Sequence, residues 1–466
     1  MTNPGEWLTM RIIKTTFLLA ALAVAALGAD PRLDKSSRNP ENNGWLFVHL
    51  EGDPATIGFQ HGYLLAPEIQ EAHKRVRFSM TRESGKSYDF IRKAAREVFW
   101  PRVDQEYREE MRGITEGLRA RGMKLDLWDV VVLNASIEMG GYYLPWLDAR
   151  KRRGSSPDRC SAFVATGSYT RDGRPVIAHN NWSGYLEGSF CNIIFDIVPT
   201  RGNRILMDGF PGMIHSGDDF GMNSAGLMIT ETTITQFHGF DPKGIPEFAR
   251  ARKAMQYASS IDDFARIMRE GNNGGYANNW LLADRKTNEI ASLELGLKHV
   301  NLWRKKDGYF VGANFPVDPK LMKEETEFTL DPAKSPNARR KRAESLMAEY
   351  KGRIDVEAGK RFLSDHYDTV TGKIDPNERT LCGHIDLSPR GSKPWQQEYG
   401  PAGVVQAKVA DDHMAARMSF EAAIGHPCGI DFKAAEFLRK HPAYNWQKGL
   451  LRDIKSGAWT LFEARR

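Results

Sequence analysis

Cys160 is followed in the chain by His179, Asn180, Asn181 and Trp182, and side chains of these types could carry out thiol chemistry on an acyl carbonyl. A free cysteine has a pKa of about 8.5, so little of it is thiolate at neutral pH and a base must stand beside it. Residues 161–166 read as a buried strand, Asp172-Gly173 is a turn signal, and residues 176–178 read as the returning strand. That hairpin would carry residues 179–182 back toward Cys160. Ahead of the thiol, Arg150-Lys151-Arg152-Arg153-Gly154-Ser155-Ser156-Pro157-Asp158-Arg159 offers nothing apolar to bury and reads as an exposed loop. Cleavage of the Arg159–Cys160 bond would make Cys160 an N-terminus. Its new α-amine, with a pKa of roughly 7.7 to 8.0, could take the thiol proton and return it to a leaving group, which an amide nitrogen cannot do. The plainer alternative is a small buried strand cysteine.

Further polar runs punctuate the chain. His179 would handle protons, and the amides of Asn180 and Asn181 would stabilise an oxyanion; alternatively the run is a turn with a buried histidine. The loop Ser216-Gly217-Asp218-Asp219-Phe220 carries paired aspartates that either orient site residues or are simply solvated. Glu231-Thr232-Thr233 ends an apolar strand, where side chains often face a cleft. Asn278 and Asn279 enter another apolar strand, and a buried Asn needs hydrogen-bond partners, which a substrate carbonyl could supply. Arg379-Thr380-Leu381-Cys382-Gly383-His384 is the last such cluster. It invites comparison with a Cys-His dyad, but no strand or helix start is evident there. Cys382 with His384 and His426 with Cys428 are single-gap pairs without zinc-finger spacing, and no phosphate-binding glycine loop is present. The chemistry is therefore expected to need no metal or cofactor.

The elements that must position these residues fall into two styles. Asp53-Pro54 opens a helix as N-cap and first-turn proline, and Gly58 and Gly62, one turn apart, would admit another backbone closely. Residues 87–121 read as a long amphipathic helix kinked at Pro101, and residues 127–139 as an apolar helix. After Cys160, short β runs at hairpin spacing alternate with pairs of helices, which indicates two antiparallel sheets covered by helices. The expected division is a signal peptide over 1–28, a mainly helical segment over 29–159 and a catalytic core over 160–466.

Arg11 and Lys14 precede the apolar run Phe17 to Leu27 and small residues, the pattern of a secretory leader, so a secreted or periplasmic location follows. Export means an oxidising compartment, and if one disulfide exists Cys382 with Cys428 is the expected pair, leaving Cys160 free. The 466 residues are 41% hydrophobic and carry a scattered net charge of +6, with no basic-aromatic surface for nucleic acid. A mean hydropathy of −0.49 excludes a polytopic membrane protein. No stable membrane association is expected once the leader is removed.

Taken in order, Cys160-Ser161-Ala162, Ala178 to Trp182, Ser216 to Phe220, Glu231-Thr232-Thr233 and Tyr276 to Trp280 resemble the motifs of the phospholipase B-like proteins. More loosely they resemble the penicillin acyltransferase-like autoproteolytic amidohydrolases. Both groups have the N-terminal-nucleophile fold. The phospholipase B-like pattern has Thr where Asn181 stands, and a second Asn with Gln where Asn278 and Asn279 stand. The resemblance implies an α+β, four-layer αββα sandwich, self-cleavage before Cys160, and hydrolysis or transfer of an acyl group from a small-molecule amide, a peptide or a lipid ester. It also implies roles: Cys160 as nucleophile, His179 and Trp182 lining the site, Thr232 beside it, and Asn279, or its neighbour Asn278, as oxyanion donor. Arg379 lies where the match is weak. The competing readings are an unprocessed thiol hydrolase using Cys160 or Cys382, and a catalytically silent binding protein on the same fold.

Overall fold

The computed structural model describes residues 30–148, 160–217, 220–390 and 401–465. The leader run, the segment 149–159 ahead of Cys160, and Asp218-Asp219 lie outside the described residues.

In chain order the strands are β1 (Ser37–Arg38), β2 (Leu46–Gly52), β3 (Cys160–Thr166), β4 (Val176–Gly184), β5 (Ile193–Pro199), β6 (Ile205–Gly209), β7 (Gly221–Asn223), β8 (Leu227–Thr233) and β9 (Asn278–Asp284). There follow β10 (Glu289–Leu295), β11 (Val300–Lys305), β12 (Gly308–Gly312), β13 (Tyr367–Asp368), β14 (Lys373–Ile374), β15 (Ala402–Asp411), β16 (Ser419–Ile424) and β17 (Thr460–Glu463). They build a nine-stranded sheet in the order β1-β2-β5-β6-β7-β8-β9-β10-β11 and a six-stranded sheet in the order β12-β3-β4-β15-β16-β17. A small hairpin, β13-β14, stands apart.

Burial assigns the layers. Ala162, Val164 and Ile177 of the smaller sheet pack against Ile194, Leu206, Met228 and Leu281 of the larger, so the two sheets lie face to face over an apolar seam. The alternate residues point outward: Phe163, Ala165 and Ala178 meet Ala343, Leu346 and Phe362 from the helices Ser335–Glu349 and Val356–Leu363. On the far side of the larger sheet, Phe195, Ile197 and Ile229 pack with Ile57, Ile69, Ile114 and Leu133 from N-terminal helices. The result is the helix-sheet-sheet-helix sandwich expected. The segment before Cys160 is part of it, because β2 pairs in parallel with β5 inside the larger sheet.

Local chemistry explains the N-terminal helices. Asp53 accepts from the Thr56 amide at 2.8 Å and Pro54 occupies the first turn of Pro54–Leu64. This helix crosses Gln105–Ala120 with glycine against backbone on both sides. A Cβ on Gly58 would stand 1.9 Å from the Glu110 carbonyl oxygen, and one on Gly62 2.0 Å from that of Ile114. Reciprocally, one on Gly117 would stand 2.3 Å from the Phe59 carbonyl oxygen. The helix expected over 87–121 is interrupted: Tyr88–Ala94 runs through a π turn and a 3₁₀ turn at Trp100–Arg102, and Val103 is extended before the next helix begins. Pro101 therefore ends a helix where a kink was expected, since its ring clashes with a continuing ladder.

Candidate active site

Cys160 is the first residue of β3, and β3 and β4 form the expected hairpin with Cys160 paired to Asn181, Ser161 to Asn180 and Ala162 to His179. Strand alternation then divides the polar run. His179 and Asn181 share the inter-sheet side with Cys160, whereas Asn180 and Trp182 project toward the helices. Both amide hydrogens of Asn180 are used locally, on the carbonyls of Leu363 (2.8 Å) and Leu381 (2.9 Å). Asn180 is thereby a brace for the neighbouring loop, where an oxyanion donor was expected.

The thiol lies against two polar groups. The Cys160 Sγ, a ring nitrogen of His179 and a carboxylate oxygen of Glu231 all fall within 4.8 Å of one another. Glu231 Oε1 is 3.8 Å from the sulfur and accepts from the Tyr276 hydroxyl at 3.0 Å. Thr233 Oγ1 is bonded to that same hydroxyl at 3.0 Å. Asn278, its amide turned to donate, reaches Glu231 Oε2 at 2.7 Å. Asn279 donates to the Phe315 carbonyl at 2.8 Å, and Thr232, paired with it across β8 and β9, packs against Gly312 of the opposite sheet. Of the two asparagines, Asn278 is the one joined to the carboxylate beside the thiol.

His179 is fully buried, and burial together with the nearby Lys408 cation pushes its pKa well below the usual value. The ring is neutral at physiological pH, a poorer proton carrier than the sequence pattern led one to expect. Lys408 itself is buried and pairs with Asp208 at 2.5 Å.

The main chain of Cys160 is held as firmly as its side chain. Its nitrogen donates to Asn314 Oδ1 at 3.1 Å, and its carbonyl oxygen accepts from Arg339. Arg339 also donates to Asn314 Oδ1 at 2.8 Å and to Ser161 Oγ at 3.2 Å, and its guanidinium lies 4.4 Å over the Trp182 ring. Asn314 anchors the group by donating to the Thr233 carbonyl at 2.8 Å. It has a φ of 67°, a left-handed conformation that asparagine tolerates better than most residues. Trp182 thus borders the site through Arg339. Arg379, by contrast, is paired with buried Asp368, and no contact with Cys160 is found for it among the described residues.

Asn314 and Arg339 were not singled out by the sequence, whereas Glu231 and Tyr276 stand in motifs that were, without a role for their own side chains. The signal was faint: Asn314 in Gly312-Ala313-Asn314-Phe315-Pro316 is a polar residue in an apolar strand exit, and Arg339 is one of several basic residues in its helix.

The phospholipase B family model matches residues 66–303, which include β3, β4, β8 and β9. The chain belongs to the phospholipase B family. It is 26% identical over 400 residues to an uncharacterized protein of Archaeoglobus fulgidus, covering 74% of this chain and 63% of that one. With phospholipase-B 81 of Drysdalia coronoides it shares 25% identity, covering 54% of this chain and 49% of the relative. The chain thus spans about half to two thirds of the length of these curated relatives. Among solved structures, a mutant conjugated bile acid hydrolase from Clostridium perfringens matches with a TM-score of 0.33 and 12% identity, over 56% of this chain and 88% of that one. No helix among the described residues is long and apolar enough to cross a membrane.

Proposed function

We propose that this phospholipase B family member is an exported, self-processing cysteine hydrolase or acyltransferase of the N-terminal-nucleophile type, acting on an amide or ester bond. The observation that carries the reading is the setting of Cys160: a buried thiol at a strand start, with Glu231 and His179 at its sulfur and Asn314 at its nitrogen. In self-cleavage the sulfur attacks the Arg159 carbonyl carbon, the peptide C–N bond breaks and a thioester forms. Water then hydrolyses the thioester, leaving the Arg159 carboxylate and restoring the thiol. The freed amine of Cys160 stays against Asn314 Oδ1.

In turnover that amine takes the thiol proton as the sulfur attacks the substrate carbonyl, and passes it to the departing amine or alcohol. The amide of Asn181, opposite Cys160 on β4, would donate to the oxyanion, and Asn278 or Asn279 would join it by exchanging its hydrogen bond to Glu231 or to the Phe315 carbonyl for one to the substrate. Water or a second amine then releases the acyl group from sulfur. Small-molecule acyl-amides, peptides and lipid esters are the substrate classes to screen, since the fold alone does not select one.

Mass spectrometry of the purified protein tests the first step. The expected result is a fragment beginning at Cys160, absent in Cys160→Ala, together with labelling of the processed thiol by an electrophilic probe and turnover of at least one acyl substrate. Processing and turnover that survive Cys160→Ala would overturn the reading.

A further inference from the structure

A second group of sulfur and imidazole donors lies outside the family-matched stretch and takes no part in the chemistry above. His366 follows the helix Val356–Leu363, Cys382 and His384 stand on the loop before the 3₁₀ turn Ile385–Leu387, and Cys428 lies beyond the end of β16. One donor atom from each of the four falls within 4.8 Å of the others. His384 Nε2 is 3.6 Å from Cys382 Sγ and 3.5 Å from Cys428 Sγ. A tetrahedron with zinc–sulfur bonds near 2.3 Å and zinc–nitrogen bonds near 2.05 Å has sulfur-to-nitrogen edges of about 3.6 Å. Both measured edges agree with it.

We propose that Cys382, His384, Cys428 and His366 bind one zinc ion in a closed, structural site. Two thiolates and two imidazoles form a donor set that suits zinc, and four protein ligands leave no position for substrate. All four cysteines of the chain are free thiols in the structure, so Cys382 and Cys428, the pair a single disulfide was expected to use if one existed, are not linked here. That disulfide would use the two sulfurs and leave both imidazoles converging without a role. The neighbouring group His384, Asp386 and His426 is the weaker ligand set, because His426 already contacts the Ile430 carbonyl at 2.9 Å and the Tyr185 hydroxyl at 3.0 Å. Asp386 instead stands 3.9 Å from His384 Nδ1, on the side of the ring away from the sulfurs, as an outer carboxylate beside a ligating histidine would.

The consequence of such an ion is mechanical. It would tie the loop carrying Cys382 and His384 to the turn after β16. That loop backs the candidate active site: a Cβ on Gly383 would stand 2.0 Å from the Trp182 ring, and the Leu381 carbonyl accepts from Asn180. Trp182 in turn lies under Arg339, which holds the Cys160 carbonyl. The inference does not depend on Cys160 being catalytic.

The test uses the full chain, produced with zinc in the medium and purified under reducing conditions without chelator. Elemental analysis is expected to find about one zinc per chain, falling at least tenfold in Cys382→Ser and Cys428→Ser and unchanged in Cys191→Ser. Replacing zinc with cobalt should give thiolate-to-cobalt charge transfer and the visible bands of a tetrahedral site. If the serine variants fail to fold, modifying the thiols of the native protein should release the zinc to a chromophoric chelator in proportion to protein. Background zinc in the native protein would overturn the proposal. So would a mass lower by two hydrogens with Cys382 and Cys428 linked, which would make this a redox pair.

Discussion

Glu138 offers the most quantitative test of the interior beside the candidate site. It is fully buried, accepting from Asn273 Nδ2 at 2.6 Å and from the Phe248 amide at 3.3 Å, and desolvation raises its pKa from 4.5 to about 7. The Asn273 hydrogen bond and the Arg250 cation oppose that rise without cancelling it. Because the folded-state value lies above the unfolded one, the folded chain holds a proton that the unfolded chain releases. The associated stability is fully present below pH 4.5 and is lost as pH rises to about 7. A displacement of that size corresponds to about 3 kcal/mol. Glu138→Gln keeps the shape and cannot ionise, so its stability relative to the native chain should climb by about 3 kcal/mol between pH 4.5 and 8. Because the Glu138 charge also raises the pKa of buried Glu247, both proteins carry Glu247→Gln; their urea unfolding at pH 4.5, 5.5, 6.5 and 8 then reads the difference, and Glu294, also raised to about 7, contributes equally to both curves. Any fixed cost of the amide shifts the whole difference curve and leaves its slope alone. A difference that stays flat across this range would refute the argument that desolvation governs Glu138.

Gly62→Ala drives a methyl group into the Ile114 carbonyl oxygen and should destabilise the chain by about 3 kcal/mol or more, while Gly140→Ala, with open space around it, should change stability by no more than about 1 kcal/mol; thermal or urea unfolding compares them. Glu231→Gln replaces the carboxylate 3.8 Å from the Cys160 sulfur by a neutral amide, so iodoacetamide labelling of the thiol at neutral pH should speed up, an unchanged rate meaning that no negative charge on Glu231 opposes the thiolate.

Local rules made much of the frame legible before any coordinates. The Asp172-Gly173 turn and the apolar runs around it define the β3-β4 hairpin, and Asp53-Pro54 with Gly58 and Gly62 define a capped helix built for close crossing. What local rules miss is whatever depends on residues distant in sequence. β15 lies beside β4, yet it carries Gln406 and Lys408 in the interior, so neither alternation nor a clean apolar run marks it. Arg339 and Asn314 reach Cys160 from elements far along the chain. The four-donor cluster escapes notice for the same reason: 44 residues separate His384 from Cys428, and only the fold closes the gap. The His-Asn-Asn-Trp run shows the converse error. Adjacency in sequence suggested one site, whereas the two-residue period of a strand sends Asn180 and Trp182 to the opposite side from His179 and Asn181.

The energetics around Cys160 weigh against a role in packing alone. A small apolar thiol at the start of a buried strand needs only close neighbours. This one is surrounded by Glu231, by Asn314 in a left-handed conformation, and by Arg339, a wholly buried cation. Taking a guanidinium out of water costs several kcal/mol, recovered only through well-placed acceptors and the face of an aromatic ring. Here those acceptors are the Cys160 carbonyl, Ser161 Oγ and Asn314 Oδ1, and the ring is Trp182. The arrangement fixes both main-chain groups of one residue, the amide that would become an amine and the carbonyl beside it. A polar cage of that kind adds little to a hydrophobic core, and it is what the proposed nucleophile would need to keep its position if the chain before it were cut.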